Sequence, residues 1–318
     1  MRFATHPMKN SVISTLAIFV SLASAPLALA KTEGTDLRLK AVPSFLKRVF
    51  VPVIPGASNT FGIDNLSIDA VVESPKGFRV ERAANGTLRI VAPAGEASGY
   101  ARVRSGNREL TLTLMNLVPY RSVRNGVLDG YKIGEYLSKP LRGLSQYERP
   151  AGFIKLTNAN SAVWISDRYR LRDFQCKLDG KNKYLIVRSE ALVKLELLQH
   201  ELQTKHNLEF DRFTIMSGYR TPFYNRMIGN VTSYSRHLYG DAMDIYIDTN
   251  RNGSMDDINR DGRVDTNDAK FLLGVAEKID KSAEWGWLKG GAGVYKANSA
   301  HGPYVHVDTR GYVARWGI

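Results

Sequence analysis

The sequence predicts an α+β protein. A mixed helix-and-sheet domain spans residues 161–318, a small all-β, sandwich-like domain spans 31–119, and a connector at 120–160 joins them. Three observations carry that expectation. Leu110, Leu112 and Leu114 alternate with Thr111 and Thr113, the period of a half-buried strand. Asn85-Gly86 lies between the apolar runs Phe78 to Arg82 and Leu88 to Val91, which is the dipeptide of a two-residue hairpin. Further along, Leu192, Leu195, Leu198 and Leu202 recur at helical spacing.

The chain begins with a leader. Arg2 and Lys9 make a basic start, Val12 to Leu22 is a short apolar run, and Ala28-Leu29-Ala30 supplies the small residues of a cleavage site. Residues 1–30 therefore read as a secretory signal peptide. The apolar run is shorter than the roughly 20 residues a membrane-spanning helix needs, so no stable span is expected after cleavage. Losing Arg2 and Lys9 lowers the formal charge of +13 by two. A basic exported protein meets anionic polymers, which in a bacterial envelope means wall peptides, teichoic acids or lipid head groups. Export, to the periplasm or cell wall, argues against nucleic acid. With 43% hydrophobic and 24% charged residues the chain has an ordinary globular composition, which excludes wholesale disorder. Its one cysteine, Cys176, has no partner for an internal disulfide and lies far from the cleavage site, so it supports no lipid anchor there.

Within 31–119, Tyr100 to Arg104 and Glu109 to Leu114 flank the turn Ser105-Gly106-Asn107 and extend the β pattern. Residues 120–160 carry scattered Gly, Pro and Tyr without periodicity. Residues 189–206 predict a helix with Ser189 as cap and Glu190 in the first turn; its leucine stripe is core, and His200 and His206 read as packing or surface residues. Phe213 to Met216, Asp244 to Ile247 and Val305 to Val307 are short strand candidates. Thr221-Pro222 is a helix start, with Thr at the N-cap and Pro in the first helical position.

The chemistry concentrates in Ser235-Arg236-His237-Leu238-Tyr239-Gly240-Asp241-Ala242-Met243-Asp244-Ile245 and in Tyr304-Val305-His306-Val307-Asp308. His237, Asp244 and His306 form a two-imidazole, one-carboxylate set. Catalytic zinc commonly takes three protein ligands and leaves a fourth position for water. Such a set leaves the metal a net positive charge with which to acidify water and polarise a carbonyl.

Together with Ser217-Gly218-Tyr219-Arg220-Thr221-Pro222, these blocks resemble, in order over residues 213–310, the zinc D-Ala-D-Ala carboxypeptidase family, whose fold is shared with the hedgehog signalling domain. The resemblance implies a hedgehog-like catalytic domain, zinc on His237, Asp244 and His306, and hydrolysis of peptidoglycan peptides containing D-alanine, by a D,D-carboxypeptidase or an endopeptidase. It implies that Arg220 faces the substrate, either steadying the oxyanion or gripping a peptide carboxylate. Tyr219 and Ser235 are assigned to substrate binding with it; Ser235 fits a supporting role equally well.

One departure stands out. Many relatives place a carboxylate three residues before the last histidine ligand as general base, and this chain has Pro303 there; others carry a histidine two residues before it, where this chain has Tyr304. Two residues are candidates for the missing function. His301 sits in a loop that can fold over the metal, and Asp308 shares the strand face of His306 as base or as support. The same departure motivates an alternative, a non-catalytic wall-binding protein that keeps its metals.

Residues 248–268 predict a second metal, a structural calcium. Asp257, Asn259, Asp261, Arg263, Asp265 and Asp268 fall at the ligand positions of an EF-hand or dockerin-like loop, with Gly262 at the turn and Val264 apolar. Asp248, Asn250, Asn252 and Asp256, with Gly253, form an overlapping half-copy, and six aspartates against three arginines reverse the local charge. A helix should follow, with Phe271, Leu272, Val275, Ala276 and Ile279 on its apolar face.

Overall fold

The computed structural model describes Met1 and residues 34–83 and 86–317. Contacts divide the chain into Met1–Lys31 and Thr32–Ile318. The expected signal peptide and Asn85 of the expected hairpin turn lie outside the described residues. No helix among the described residues is long and apolar enough to cross a membrane.

The first eight strands are β1 (Asp36–Leu39), β2 (Arg48–Val53), β3 (Ser58–Ile63), β4 (Ala70–Glu73), β5 (Arg79–Arg82), β6 (Leu88–Val91), β7 (Ser98–Ser105) and β8 (Arg108–Asn116). They make two four-stranded sheets, ordered β1-β3-β6-β5 and β2-β8-β7-β4. β5 and β6 pair antiparallel with Arg82 opposite Leu88, and Gly86 between them takes φ +68°, which glycine adopts without strain. β8 departs from simple alternation. Leu110, Leu112 and Leu114 are buried as expected, but so is Thr113, whose hydroxyl donates to the Trp164 carbonyl at 2.9 Å. The later chain covers the second face of that strand.

The region expected as a connector carries short paired segments. These are β10 (Val127–Leu128), β11 (Tyr131–Lys132) and β12 (Gly152–Leu156); β12 pairs with β9 (Val118–Pro119), at the end of the expected β domain, and with β13 (Lys183–Leu185) beyond the connector. Tyr136, Tyr147 and Phe153 from this stretch are buried in the common hydrophobic cluster.

α1 spans Ser189–Lys205. Ser189 does not cap it: it is already helical, and its hydroxyl donates to the Phe50 carbonyl of β2 at 2.5 Å. β2 and α3 (Thr266–Lys281) both pack on α1, so burial extends well past the leucine stripe. Lys194, Glu196 and Gln199 are buried and each has a partner, Lys194 on Asp280 at 2.8 Å, Glu196 on Arg168 at 2.6 Å and Gln199 on the Tyr169 hydroxyl at 3.3 Å. Burial lowers the Lys194 pKa and raises that of Glu196. His200 stacks on Phe45 and His206 meets Phe271 edge-on, the packing roles expected of them.

α2 (Pro222–Met227) begins as the sequence predicts, with Thr221 Oγ1 accepting from the Tyr224 amide at 3.0 Å. The remaining strands are β14 (Thr214–Ser217), β15 (Ala242–Tyr246), β16 (Gly291–Tyr295), β17 (Tyr304–Asp308) and β18 (Ala314–Trp316). They form one sheet in the order β14-β15-β17-β16-β18, antiparallel except for β16 with β18. α3 packs on β16 and β17, and its apolar face buries Leu272, Val275, Ala276 and Ile279. Register places Ser217, Asp244, His306, Gly293 and Trp316 in one row across the five strands. Their sequence neighbours Ile245, Val305 and Val307 are buried in the core, because successive strand side chains point to opposite faces.

Candidate metal centre

Asp244 and His306 are directly opposed on β15 and β17, so their side chains leave the sheet together. His237 arrives from the 3-10 turn Arg236–Tyr239. That turn ends at Gly240 with φ +71°, where a Cβ would lie 2.6 Å from the Ile186 carbonyl oxygen, so glycine is required. The turn is anchored by Arg236, whose Nε and Nη2 hold the Asp241 carboxylate at 3.0 and 2.5 Å and whose guanidinium lies between the rings of Tyr147 and Tyr239.

Among the described residues, His237, Asp244 and His306 are the one group of three or more His, Cys, Asp or Glu side chains able to hold a metal. His237 Nε2 lies 3.1 Å from His306 Nδ1, His306 Nδ1 lies 3.0 Å from Asp244 Oδ1, and His237 Nε2 lies 3.2 Å from Asp244 Oδ1. A tetrahedral zinc with bonds of about 2.0–2.1 Å separates its ligand atoms by about 3.3 Å, so the triangle is the right size for one face of that coordination.

The partners behind the rings assign the tautomers. His237 Nδ1–H donates to the Gly218 carbonyl at 2.7 Å, which leaves Nε2 with its lone pair. His306 Nε2–H donates to Asp308 Oδ2 at 2.9 Å, which leaves Nδ1 with its lone pair. In these neutral tautomers two imidazole lone pairs and a carboxylate oxygen face one another. A cation relieves that repulsion, and hydrogen bonds behind the histidines fix ring orientation and raise ligand basicity. The residues present therefore fit zinc.

Burial works against the charge of Asp244, but the His237 and His306 imidazoles outweigh it and hold its carboxyl far below the usual range. His237 is pushed down, chiefly by burial and further by Arg220. Burial also opposes protonation of His306, yet the Asp244 and Asp308 carboxylates pull its pKa up.

Arg220 lies at the edge of the triad. Its Nη2 donates to Asp244 Oδ2 at 2.5 Å and its Nε to Ser217 Oγ at 2.8 Å. The contact occupies the Asp244 oxygen that does not face the histidines, while Arg220 also lines the cleft over the triad. Ser235 lines the same cleft. Tyr219 does not: it is 1% exposed and its hydroxyl meets that of Tyr136 at 3.0 Å in the core. Arg220 and Tyr219 are consecutive, and consecutive side chains in extended backbone diverge.

Asp308 is positioned to support His306 and to do little else. Besides His306, its carboxylate accepts from the Gly291 amide at 2.7 Å and from Arg310 Nε at 3.0 Å and Nη2 at 2.5 Å. Burial would raise its pKa, but His306 and Arg310 hold it well below the usual carboxylate range. His301 is not brought to the cleft. Its ring packs edge-on against Tyr304 at 4.8 Å, its Nε2 meets Asn298 at 3.0 Å, and the space beside it is lined by Met216, Tyr246 and Ser254.

The cleft also contains residues that motif reading did not single out. Tyr295 and Tyr304 stack face to face, with ring centroids 4.6 Å apart. Trp316 lies 5.1 Å from the His306 ring and donates from Nε1 to the Tyr295 hydroxyl at 3.0 Å. It approaches so closely because residue 293 is glycine, where a Cβ would lie 2.0 Å from the indole. The small residue opposite His306 and the aromatic at the chain end become informative only once register places them in one row.

Residues 248–268 form two copies of one loop, nine residues apart. Arg251 and Arg260 have φ of +59° and +63°, and Gly253 and Gly262 have φ of +83° and +84°. Asp248 accepts from the amides of Asn252 and Gly253, as Asp257 does from those of Asp261 and Gly262. Asn250 and Asn259 accept from residues 252 and 261, and Asn252 and Asp261 from residues 254 and 263. Asp256 accepts from the Thr249 amide. Asp265 is the N-cap of α3, and its side chain accepts from the Asn267 amide. Asp268, expected to close a calcium site, is 0% exposed and accepts from the amides of Ile258, Asn259 and Asp265. The acids of this loop form no group comparable to the histidine–aspartate triad. Their oxygens satisfy turn and helix-cap amides, which is the ordinary use of Asp and Asn in tight loops.

Residues 169–271 match the family model described as Peptidase M15. The matched segment contains His237 and Asp244 and ends before His306. The match supports the zinc D-Ala-D-Ala carboxypeptidase family and, with it, a metallopeptidase. No curated protein matches the chain.

Proposed function

We propose that this protein is an exported zinc peptidase that hydrolyses D-alanine-containing peptides of the bacterial cell wall, as a D,D-carboxypeptidase or as an endopeptidase of cross-links. The observation that carries the reading is the convergence of His237 Nε2, Asp244 Oδ1 and His306 Nδ1 on one point of an open cleft, in a chain that matches Peptidase M15. Zinc bound there supplies a Lewis acid for the scissile carbonyl and lowers the pKa of water. The Gly218 carbonyl and the Asp308 carboxylate keep both imidazoles in their ligating tautomers. Arg220 holds the Asp244 oxygen that faces away from the histidines and leaves Nη1 for a peptide carboxylate or a developing oxyanion. Ser235 stands on the cleft wall, within the reach of a peptide backbone.

The test is mass spectrometry of purified muropeptides after incubation with the zinc-loaded protein, with His237→Ala beside it. Loss of one alanine by the wild type alone identifies a carboxypeptidase, and splitting of cross-linked dimers identifies an endopeptidase. A folded, zinc-bound wild type that cleaves nothing would sink this reading in favour of the non-catalytic wall-binding one.

The same reading extends to residues 248–268, where a calcium ion bracing the insertion is supported by the matching conformation of the two loops. Calorimetric titration of chelator-treated protein checks it. No heat of binding and no gain in melting temperature at millimolar calcium would remove calcium from the account.

A further inference from the structure

The cleft holds no carboxylate that is free to act on a substrate. Asp244 is committed to the triad and to Arg220, Asp308 is committed to His306, Arg310 and the Gly291 amide, and no other Asp or Glu among the described residues lines the cleft. One buried phenol there has no protein partner. Tyr304 is 9% exposed and lines the cleft, and its hydroxyl has no hydrogen-bond partner among the described residues. That oxygen is not among the sealed, partnerless polar atoms, so it keeps some contact with solvent. Tyr304 lies two residues before His306 on β17, and therefore on the same face of the sheet as the triad. Its ring is fixed by the face-to-face stack on Tyr295 and by the His301 edge. The other phenol of the stack differs, because Tyr295 already accepts from Trp316 Nε1.

We propose that the Tyr304 hydroxyl is a catalytic hydrogen-bond donor to the scissile carbonyl oxygen as that oxygen takes on negative charge. The inference rests on the peptidase reading above. The water oxygen adds to the carbonyl carbon, and the π pair moves to the carbonyl oxygen. That pair returns as the C–N bond breaks, and the amine leaves carrying one of the two water protons. The other water proton stays with the new carboxyl group, which ionises in neutral solution. Tyr304 keeps its own proton throughout and acts by hydrogen bonding alone. A fixed donor stabilises developing charge without having to reorient at the moment of reaction.

Tyr304→Phe keeps the ring and its stack and removes only the donor. Four quantities are measured on wild type and variant: kcat and KM on the muropeptide the wild type cleaves, affinity for a phosphinate analogue of the scissile dipeptide, and zinc affinity. The expected result is a loss of about 10²-fold in kcat with KM little changed. The phosphinate, a tetrahedral anion, should bind at least tenfold more weakly, while zinc affinity stays within twofold. Wild-type kcat and phosphinate affinity in the variant would overturn the proposal. So would a zinc affinity that falls in step with kcat, since that marks a structural role. A wild type that binds zinc and cleaves nothing would overturn this proposal together with the peptidase reading.

Discussion

Replacing Asp308 by asparagine tests whether this carboxylate holds the metal ligand behind it. The substitution conserves volume and leaves an amide oxygen to accept from His306 Nε2, which now sits 2.9 Å from Asp308 Oδ2. It removes the negative charge that makes the imidazole a better ligand, and it deprives Arg310 of a partner held through both Nε and Nη2. It also places an NH2 where one oxygen now accepts from a donor, because every donor around Asp308 needs an acceptor. Removing such a partner typically weakens metal binding by about 10- to 100-fold, or about 1.4–2.8 kcal/mol. The cleft-facing position of Arg310 lets its stranded charge reach solvent, which keeps the loss inside that range. Competition against a chromophoric zinc chelator reads the affinity, and circular dichroism checks that the variant is folded. A folded Asp308→Asn protein with zinc affinity within twofold of wild type would refute the assignment of Asp308 as the support of His306.

Three further outcomes follow from the same network. Lys194→Met removes a buried ammonium that holds Asp280 at 2.8 Å and the Asp308 carbonyl at 2.9 Å; Arg315 still serves Asp280, so the expected loss is about 3 kcal/mol in urea unfolding, and a loss under about 1 kcal/mol would contradict it. Gly293→Ala drives a methyl into Trp316 and should cost about 1–3 kcal/mol while shifting tryptophan emission, whereas an unchanged unfolding midpoint and spectrum would show that the indole does not lie on β16. In metal-free protein the depressed pKa of Asp308 gives stability that is present above its unfolded value of about 3.9 and is lost as pH falls through the folded value. Wild type should therefore lose about 1.4 kcal/mol more per pH unit below about pH 4 than Asp308→Asn, and parallel slopes would be evidence against it.

Motif order named the three triad residues because a metal ligand set is a chemical requirement written locally, in His237 and Asp244, and repeated on the strand of His306. Other parts of the site depend on information that one segment does not hold. Tyr219 is expected at the substrate beside Arg220, yet its phenol lies in the core against Tyr136. His301 lies in a loop that the sequence lets fold over the metal; the direction a loop takes is set by its packing, and this one turns toward Asn298 and Ser254. Ser189 has the chemistry of a cap, but the Phe50 carbonyl of β2 claims its hydroxyl. The acids of 248–268 have both calcium-loop spacing and turn chemistry, and their oxygens are met by amides of the same loop. Trp316 and Gly293 show the remaining limit, since neither has meaning until β16, β17 and β18 are in register.

That register also bears on why the usual base is missing. Each acid beside the triad is matched to an arginine, Asp244 to Arg220 and Asp308 to Arg310, so neither carboxylate cancels the charge of a bound metal outright. A free carboxylate three residues before His306 would add an unmatched negative charge, and the chain has Pro303 there, just before β17 begins. Tyr304 then starts the strand and offers a neutral donor in place of a base. A site built this way stabilises negative charge on the substrate more readily than it removes a proton from water. On the proposed reading, the described residues of the cleft hold the metal, its charge and the carbonyl.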